Sequence, residues 1–340
     1  MLARIHRNHT QRNHNHTMKT PSTILKRITH LLAATTLLGL TACSMQQPEG
    51  EIQGAAGMAI AAERALSGLE RKVLQIDGFV VPYLQGGEGE PLVLIHGFGG
   101  SKDNFNRVAR YLTDHYTVYA IDVPGFGAST RVEDADYVIN TQIDRVHAII
   151  EKLGLQQPHI GGNSMGGWIS GAYAAKYPGN TASVWFLAPA GLVESRKSEV
   201  IQKFEQTGEI MLTASNREEF EKIVDVVMYE RPAFAPGFVV EAMAARAAQD
   251  QPLHKRIYKD FKTVPSDLAT TLAASNYTGP ALIVWGKEDR VLHVDGANEL
   301  KNAMPKFDVI LMDQVGHVPM MEKPEQVAID YVKWRESVGQ

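Results

Sequence analysis

Gln157-Pro-His-Ile-Gly-Gly-Asn-Ser-Met-Gly-Gly-Trp168 is the stretch on which the reading of this chain turns. A short apolar approach through Ile160 runs into Gly162-Asn163-Ser164-Met165-Gly166, and a helix-compatible run follows from Trp168 to Lys176. The form is G-x-S-x-G, with a strand expected before it and a helix after it. A serine hydroxyl that attacks a carbonyl has to stand clear of a sheet, which calls for a strained strand-to-helix turn. Glycines two before and two after the serine let backbone segments approach without a Cβ clash. The start of the helix then aims amide groups and a partial positive charge at the reacting oxygen. A Gly/Ser turn without chemistry can carry the same letters, so the surroundings decide.

Outward from that turn the pattern alternates. Upstream, 73–76 and 79–83 read as a strand pair around Asp77-Gly78. Pro91-Leu-Val-Leu-Ile95 is a continuous apolar run, as in a strand buried on both faces of a parallel sheet, and it empties into His96-Gly97-Phe98-Gly99-Gly100. A helix is expected over 104–112, a strand over 118–121 ending at Asp122, and a helix over 139–153. Downstream, 184–187, 281–285 and 309–312 read as strands, with helices over 296–303 and 324–337. Alternating buried strands and amphipathic helices predict an α/β fold with a doubly wound, mostly parallel sheet. In such sheets the active site lies at the carboxyl ends of the strands, where His96-Gly97, Asp122, Ser164 and Ala188 all fall. Residues 192–276 break the rhythm with helical patterns over 198–213, 217–229, 238–248 and 254–261. They predict a helical cap inserted between two strands, with Phe204, Met211, Val227, Met228, Tyr229, Phe234 and Phe238 mostly on its packing face. The core is thus expected in 71–191 and 277–340.

The beginning of the chain reads differently. The run 31–40 is apolar, follows Lys19, Lys26 and Arg27, and leads into small residues. That is the pattern of a signal peptide, too short for a bilayer-spanning helix of about 20 residues. Residues 1–43 are read as an upstream segment plus this signal, with Met18 the expected start and His6, His9, His14 and His16 showing no ligand spacing. The chain has one cysteine, Cys43, at the end of the run, where a lipid attachment fits better than a core thiol. Residues 44–70 are read as a tether and a short helix that lies near the membrane surface or docks on the domain. With 44% hydrophobic and 21% charged residues and a net charge of −4, the chain has the composition of a folded globular protein, and no basic stripe suggests a nucleic-acid partner. No Cys/His cluster with metal-ligand spacing and no nucleotide fingerprint occurs, so no metal or cofactor is expected.

The letters then resemble a known family. His96-Gly-Phe-Gly-Gly-Ser-Lys-Asp-Asn-Phe105, Gly161-Gly-Asn-Ser-Met-Gly-Gly167, 184–191, Asp225-Val-Val-Met-Tyr229, Val284-Trp-Gly286 and Val315-Gly-His-Val-Pro-Met320 are similar to the family V bacterial lipases and esterases of the α/β-hydrolase fold, the cold-adapted lipases among them. The resemblance runs from about residue 75 to about 334. It implies Ser164 as nucleophile, Asp289 as acid and His317 as base, in the chain order Ser, Asp, His. It implies an oxyanion hole from the backbone N–H groups of Phe98 and Met165. The chemistry agrees, because a neutral serine needs a base and the imidazole needs a carboxylate to hold its tautomer. Glu288 could substitute for Asp289, while Asp308 and Asp313 read as surface or turn groups and His96 as a loop anchor. Leu40-Thr-Ala-Cys43 resembles the lipobox of bacterial lipoproteins, implying acylation of Cys43 and an outer-membrane, or otherwise secreted or periplasmic, location. The expected activity is ester hydrolysis on acyl glycerides, other acyl esters or phospholipids. Two competitors stand: a C–C bond hydrolase of the meta-cleavage type, whose members also carry Gly-Asn-Ser-Met-Gly-Gly, and a non-catalytic ligand-binding lipoprotein.

Overall fold

The computed structural model describes residues 50–231, 236–263 and 267–339, which fall in one unit, Pro48–Gln340. The expectations for the signal segment, Met18, Cys43 and Phe234 lie outside the described residues.

Eight strands form one sheet: β1 (Glu70–Ile76), β2 (Phe79–Gly86), β3 (Glu90–Ile95), β4 (Tyr116–Ile121), β5 (His159–Asn163), β6 (Ser183–Leu187), β7 (Ala281–Gly286) and β8 (Asp308–Met312). Their order is β1-β2-β4-β3-β5-β6-β7-β8. β1 and β2 pair antiparallel around the Asp77-Gly78 turn and β2 pairs antiparallel with β4, whereas every later pairing is parallel. The chain winds outward from β3 to β4 and then returns to place β5 on the other side of β3. That reversal opens a crevice beyond the carboxyl ends of β3 and β5, where ligands bind in open α/β sheets.

Continuous apolar runs form these strands because both faces of the sheet are covered. Along β3, Val93 and Ile95 join one core and Leu92 and Leu94 the other. β6 divides in the same way, Val184 and Phe186 against Trp185 and Leu187. The first core packs beneath helices Ile139–Lys152 and Met165–Lys176, the second beneath Asn106–Ala109 and Pro324–Val338.

Helix Gly54–Leu66 precedes the sheet and ends at Ser67. The helix expected over 104–112 is shorter. A 3₁₀ turn, Lys102–Phe105, comes first, its start fixed by the Ser101 hydroxyl accepting from Asp103 N and the Asn104 side chain accepting from Ser101 N, and Asn106–Ala109 completes it.

Between β6 and β7 the described residues carry helices and no strand: Glu199–Thr207, Arg217–Val227, Gly237–Thr263 and Leu268–Ala273. Two corrections apply. The helices expected over 238–248 and 254–261 are one helix that runs through Pro252. Proline usually ends a helix, because it lacks the N–H and its ring crowds the preceding turn; packing keeps this one continuous. Tyr229 and Phe238, expected on the packing face, are half exposed, while Val200, Val226 and Val291 form the buried contact between the insertion and the strand-end loops.

Candidate active site

Ser164 closes β5 and opens helix Met165–Lys176 with φ 55° and ψ −118°, a left-handed φ that costs a non-glycine residue about 1–3 kcal/mol. Its surroundings leave no alternative backbone. A Cβ on Gly162 would come 2.3 Å from the Gly166 carbonyl, and one on Gly166 would come 2.0 Å from the Ile95 carbonyl oxygen at the end of β3. The two glycines of the motif are therefore required by close approach of strand, helix and neighbouring strand. The Ser164 amide donates to Leu187 O at 3.0 Å, and its carbonyl accepts from Ala190 N at 2.9 Å and Trp168 N at 3.0 Å. Strain is held by these three bonds, with Ser164 buried at the carboxyl end of β5.

Asp289 and His317 meet in the structure. His317 Nδ1 lies 2.7 Å from Asp289 Oδ2, and both side chains are buried. Each oxygen of Asp289 has partners: Oδ2 also accepts from Trp285 Nε1 at 2.9 Å, and Oδ1 accepts from Val291 N at 2.8 Å and Leu292 N at 3.0 Å. A carboxylate fixed by four donors can hold one imidazole tautomer, with the proton on Nδ1 and the Nε2 lone pair turned elsewhere. Asn163, just before the serine, connects the two parts. Its Nδ2 donates to Leu187 O at 3.0 Å and to His317 O at 2.9 Å.

Three consecutive amides place the histidine loop, and each goes to a different element. Val315 N donates to Glu288 Oε2 at 3.1 Å, Gly316 N to Glu322 Oε1 at 3.0 Å, and His317 N to Val227 O at 2.8 Å. The second oxygen of Glu322 accepts from Tyr229 N at 2.8 Å, just past the end of the inserted helix Arg217–Val227. Burial holds the Glu322 carboxyl above its usual range, in spite of the amides that favour its charge. Glu288 therefore serves the histidine backbone and does not face the imidazole, so the structure pairs Asp289, not Glu288, with His317.

The glycine loop after β3 lies against the serine. A Cβ on Gly97 would be 3.2 Å from Ser164 Cβ, and Gly100 N turns back to Gly97 O at 3.0 Å. Phe98 anchors this loop from above: its ring packs against Phe126 at 5.4 Å, His254 and Tyr258 at 5.6 Å, and Phe261 at 6.3 Å between centroids. Three of those four rings belong to the inserted helix Gly237–Thr263. Burial lowers His254 to about 4 and pushes Tyr258 up to about 12, so both are neutral near pH 7. Met165 is the first residue of its helix, where amides lack intrahelical acceptors. His96 receives Val123 N on Nε2 at 3.1 Å and meets Gly97 O through Nδ1, the loop anchor expected of it.

Asp308 accepts from Trp334 Nε1, and Asp313 pairs with Lys287 at the surface, both away from His317. An open cleft of about 550 Å³ beside Asp289 is walled by Asp225, Met228, Tyr229, Lys287, Glu288 and Arg290, and Ser164 is not among its walls.

Sequence reading missed the anchoring roles of Asn163, Trp285 and Glu322 and the aromatic seat of Phe98. Glu322, shortly after the histidine on the same loop-to-helix passage, was the one signal available for this.

Comparison with known proteins agrees with this geometry. The family described as alpha/beta hydrolase fold matches residues 90–324. Lipase 1 of Psychrobacter immobilis is 38% identical over 277 residues, covering 80% of this chain and 86% of that protein. A crystal structure described as a membrane phospholipase A, a bacterial virulence factor, is similar with a TM-score of 0.81 and 32% identity, over 94% of this chain and 100% of that one. A meta-cleavage product hydrolase from Pseudomonas fluorescens shares the fold at a TM-score of 0.68 with 20% identity, over 78% of this chain and 97% of that one, which speaks to the fold alone.

Proposed function

The chain belongs to the alpha/beta hydrolase family and is a carboxylic ester hydrolase, and from that premise we propose that it works through an acyl-enzyme on Ser164, with His317 as base and Asp289 as its orienter. The observation that carries this reading is the 2.7 Å contact from His317 Nδ1 to a fully engaged Asp289, in a loop held through His317 O by Asn163, the residue before Ser164.

The steps follow from the groups. His317 Nε2 takes the Ser164 proton as Oγ attacks the acyl carbonyl, and Asp289 stabilises the imidazolium. The negative oxygen of the tetrahedral intermediate is received by the backbone N–H groups of Phe98 and Met165, where one donor is worth about 10²–10³ in turnover. The imidazolium returns the proton to the leaving alcohol as the C–O bond breaks, leaving the Ser164 ester. Water then attacks that ester with His317 again as base, and the carboxylic acid and free serine result. We assign residues 192–276 as a cap over the strand ends, with its helix Gly237–Thr263 setting the position of Phe98. We take the protein's substrates to be acyl glycerides, phospholipids or simpler esters.

The same reading places the chain in the cell envelope, held by a lipid on Cys43. Among the described residues no helix is long and apolar enough to cross a membrane. Six residues lie between Cys43 and Gly50, and extended chain spans about 3.5 Å per residue. An anchor at Cys43 thus keeps the domain close to the lipid surface that carries its substrate.

Hydrolysis of p-nitrophenyl esters graded by acyl length tests the chemistry. Wild type is expected to turn them over and Ser164→Ala to lose at least about 10³-fold in kcat. Undiminished Ser164→Ala activity would defeat the mechanism, and inertness toward every ester with cleavage of a vinylogous diketone would favour the C–C hydrolase. For the anchor, Cys43→Ser is expected to leave the membrane fraction; if it stays, the lipid reading is wrong.

A further inference from the structure

Residues 50 and 51, expected to belong to a tether, are built into the described fold. Gly50 has φ 94° and presses against residue 128, where a Cβ would come 2.7 Å from the Ala128 carbonyl oxygen. Its own carbonyl accepts from Arg246 Nη1 at 2.9 Å, and that guanidinium also donates to Gly127 O at 3.0 Å and to Asp250 at 2.8 Å. Arg246 lies on the inserted helix Gly237–Thr263, so the segment before the domain touches the insertion directly.

Glu51 enters a buried cluster of charge. Its Oε1 lies 2.8 Å from both Lys102 Nζ and Arg71 Nε, and its Oε2 lies 2.8 Å from Arg64 Nη2. Lys102 Nζ also reaches Asp122 Oδ2 at 2.9 Å, and Arg64 forks onto Asp103 at 2.6 and 2.8 Å. Three cations thus meet three carboxylates, and the charges balance only with Glu51 present. The Lys102 and Asp122 side chains are 1% and 0% exposed. Buried ammonium and carboxylate groups persist only when paired and hydrogen-bonded. Burial opposes the charge on Glu51, yet Lys102 and Arg64 outweigh it and hold the carboxyl at about 2.

Lys102 stands one residue, Ser101, beyond the Gly97–Gly100 loop that carries Phe98. It is gripped at two points: its amide donates to Asp122 Oδ1 at 2.7 Å, and its amine is shared by Asp122 and Glu51. Asp122 in turn takes Ala128 N at 2.8 Å. Take away Glu51, and the amine is left to Asp122 and, at a longer 3.5 Å, Asp103, while Arg71 and Arg64 each lose a partner. Any adjustment of Lys102 is passed through Ser101 to that loop.

We propose that Glu51 is a positioning residue for ester hydrolysis, which acts through Lys102 to hold the Gly97–Gly100 loop, and with it the Phe98 amide, against Ser164. The proposal rests on the reading of Phe98 as an oxyanion donor. Residues 50–66 are then a bolt between the catalytic loop and the inserted helix, not slack chain before the domain.

The test uses the full-length protein with Glu51→Gln. The readouts are kcat and KM on p-nitrophenyl butyrate, affinity for a boronic acid that forms a tetrahedral adduct on serine, and melting temperature. A displaced donor is expected to cost about 10- to 100-fold in kcat, with KM changed by less than about twofold. Boronate affinity is expected to fall by the same factor as kcat/KM. Unchanged kcat and boronate affinity in a folded Glu51→Gln, with only a lower melting temperature, would overturn the proposal. If that variant does not fold, the charge-balanced Glu51→Gln/Arg71→Gln pair carries the same readouts. Arg107→Ala is the control, since Arg107 pairs with Glu63 at 2.9 Å and holds the same helix without touching Lys102. It is expected to keep kcat, and an equal loss there would assign the effect to helix docking and overturn the role of Glu51. Ser164→Ala separates the two levels: activity in that variant sinks the nucleophile, whereas normal Glu51→Gln kinetics beside an inactive Ser164→Ala sinks only the bolt.

Discussion

At the scale of single residues, the site is an arrangement of acceptors around one imidazole. Asp289 gives Oδ2 to His317 and Trp285 and Oδ1 to two amides, so an asparagine there can keep the amides only by turning its NH₂ toward Nδ1. The imidazole must then place its proton on Nε2, and it stops being a base. Asp289→Asn is expected to lose about 10⁴-fold in kcat and, because the buried Trp285 N–H then faces an NH₂, about 1–3 kcal/mol of stability; steady-state kinetics beside a thermal melt checks both halves. Gly166 makes the opposite case, a residue whose effect is steric. Its Cβ would sit 2.0 Å from the Ile95 carbonyl oxygen, and backbone cannot yield as a side-chain end can. Gly166→Ala is expected to destabilise by more than the ~1–3 kcal/mol of ordinary overpacking, read by urea titration. Gly166 was legible from the G-x-S-x-G spacing, whereas Asp289 came in only through the family resemblance. Asn163 was not legible, since its two bonds go to carbonyls contributed by β6 and by the histidine loop.

At the scale of elements, the histidine loop is joined to the insertion. Glu322 receives Gly316 N with one oxygen and Tyr229 N with the other, while His317 N goes to Val227 O. A glutamine has a single acceptor oxygen and must point its NH₂ at one of those amides. Glu322→Gln is therefore expected to cost about 1–3 kcal/mol, the penalty of a buried donor left unmatched, and to lower kcat at temperatures where the variant remains folded. Equal kcat with lowered stability would show that the clip holds the fold without affecting the base. Sequence periodicity found these helices but divided Gly237–Thr263 in two at Pro252. Local preference and tertiary packing disagree there, and packing of the helix on Phe98 and its neighbours prevails. Tyr229 and Phe238 were assigned to a packing face for a related reason. A helical pattern shows which residues share a side, but not whether another element comes to cover it.

At the scale of the whole molecule, buried titratable groups predict sensitivity to acid. His254 is held at about 4 against an ordinary 6.5, so below 6.5 the unfolded chain binds a proton that the folded one refuses. Stability is full above 6.5 and is lost as pH falls toward 4. Glu51, held at about 2 against 4.5, adds a second loss as pH falls from 4.5 toward 2. The melting temperature is expected to decline through both windows, and His254→Phe to lessen the upper decline, which His96 and His159, also held low by burial, share, while leaving the lower; an unchanged slope between 6.5 and 4 would refute the assignment to His254. The sequence by itself determined the sheet, its helical insertion and the residue types of the site. Those follow from short-range physics: apolar runs that need two covered faces, glycines where backbones approach, and turn residues at strand ends. Only the tertiary structure decided what holds the site in place. Glu51 to Lys102, Glu322 to Tyr229 and Phe98 to His254 join residues far apart in the chain, and nothing in local composition encodes such a pairing. The segment before the sheet shows the difference most clearly: a polar stretch by its letters, it becomes part of the fold because Lys102 is buried and its amine takes a second carboxylate from Glu51.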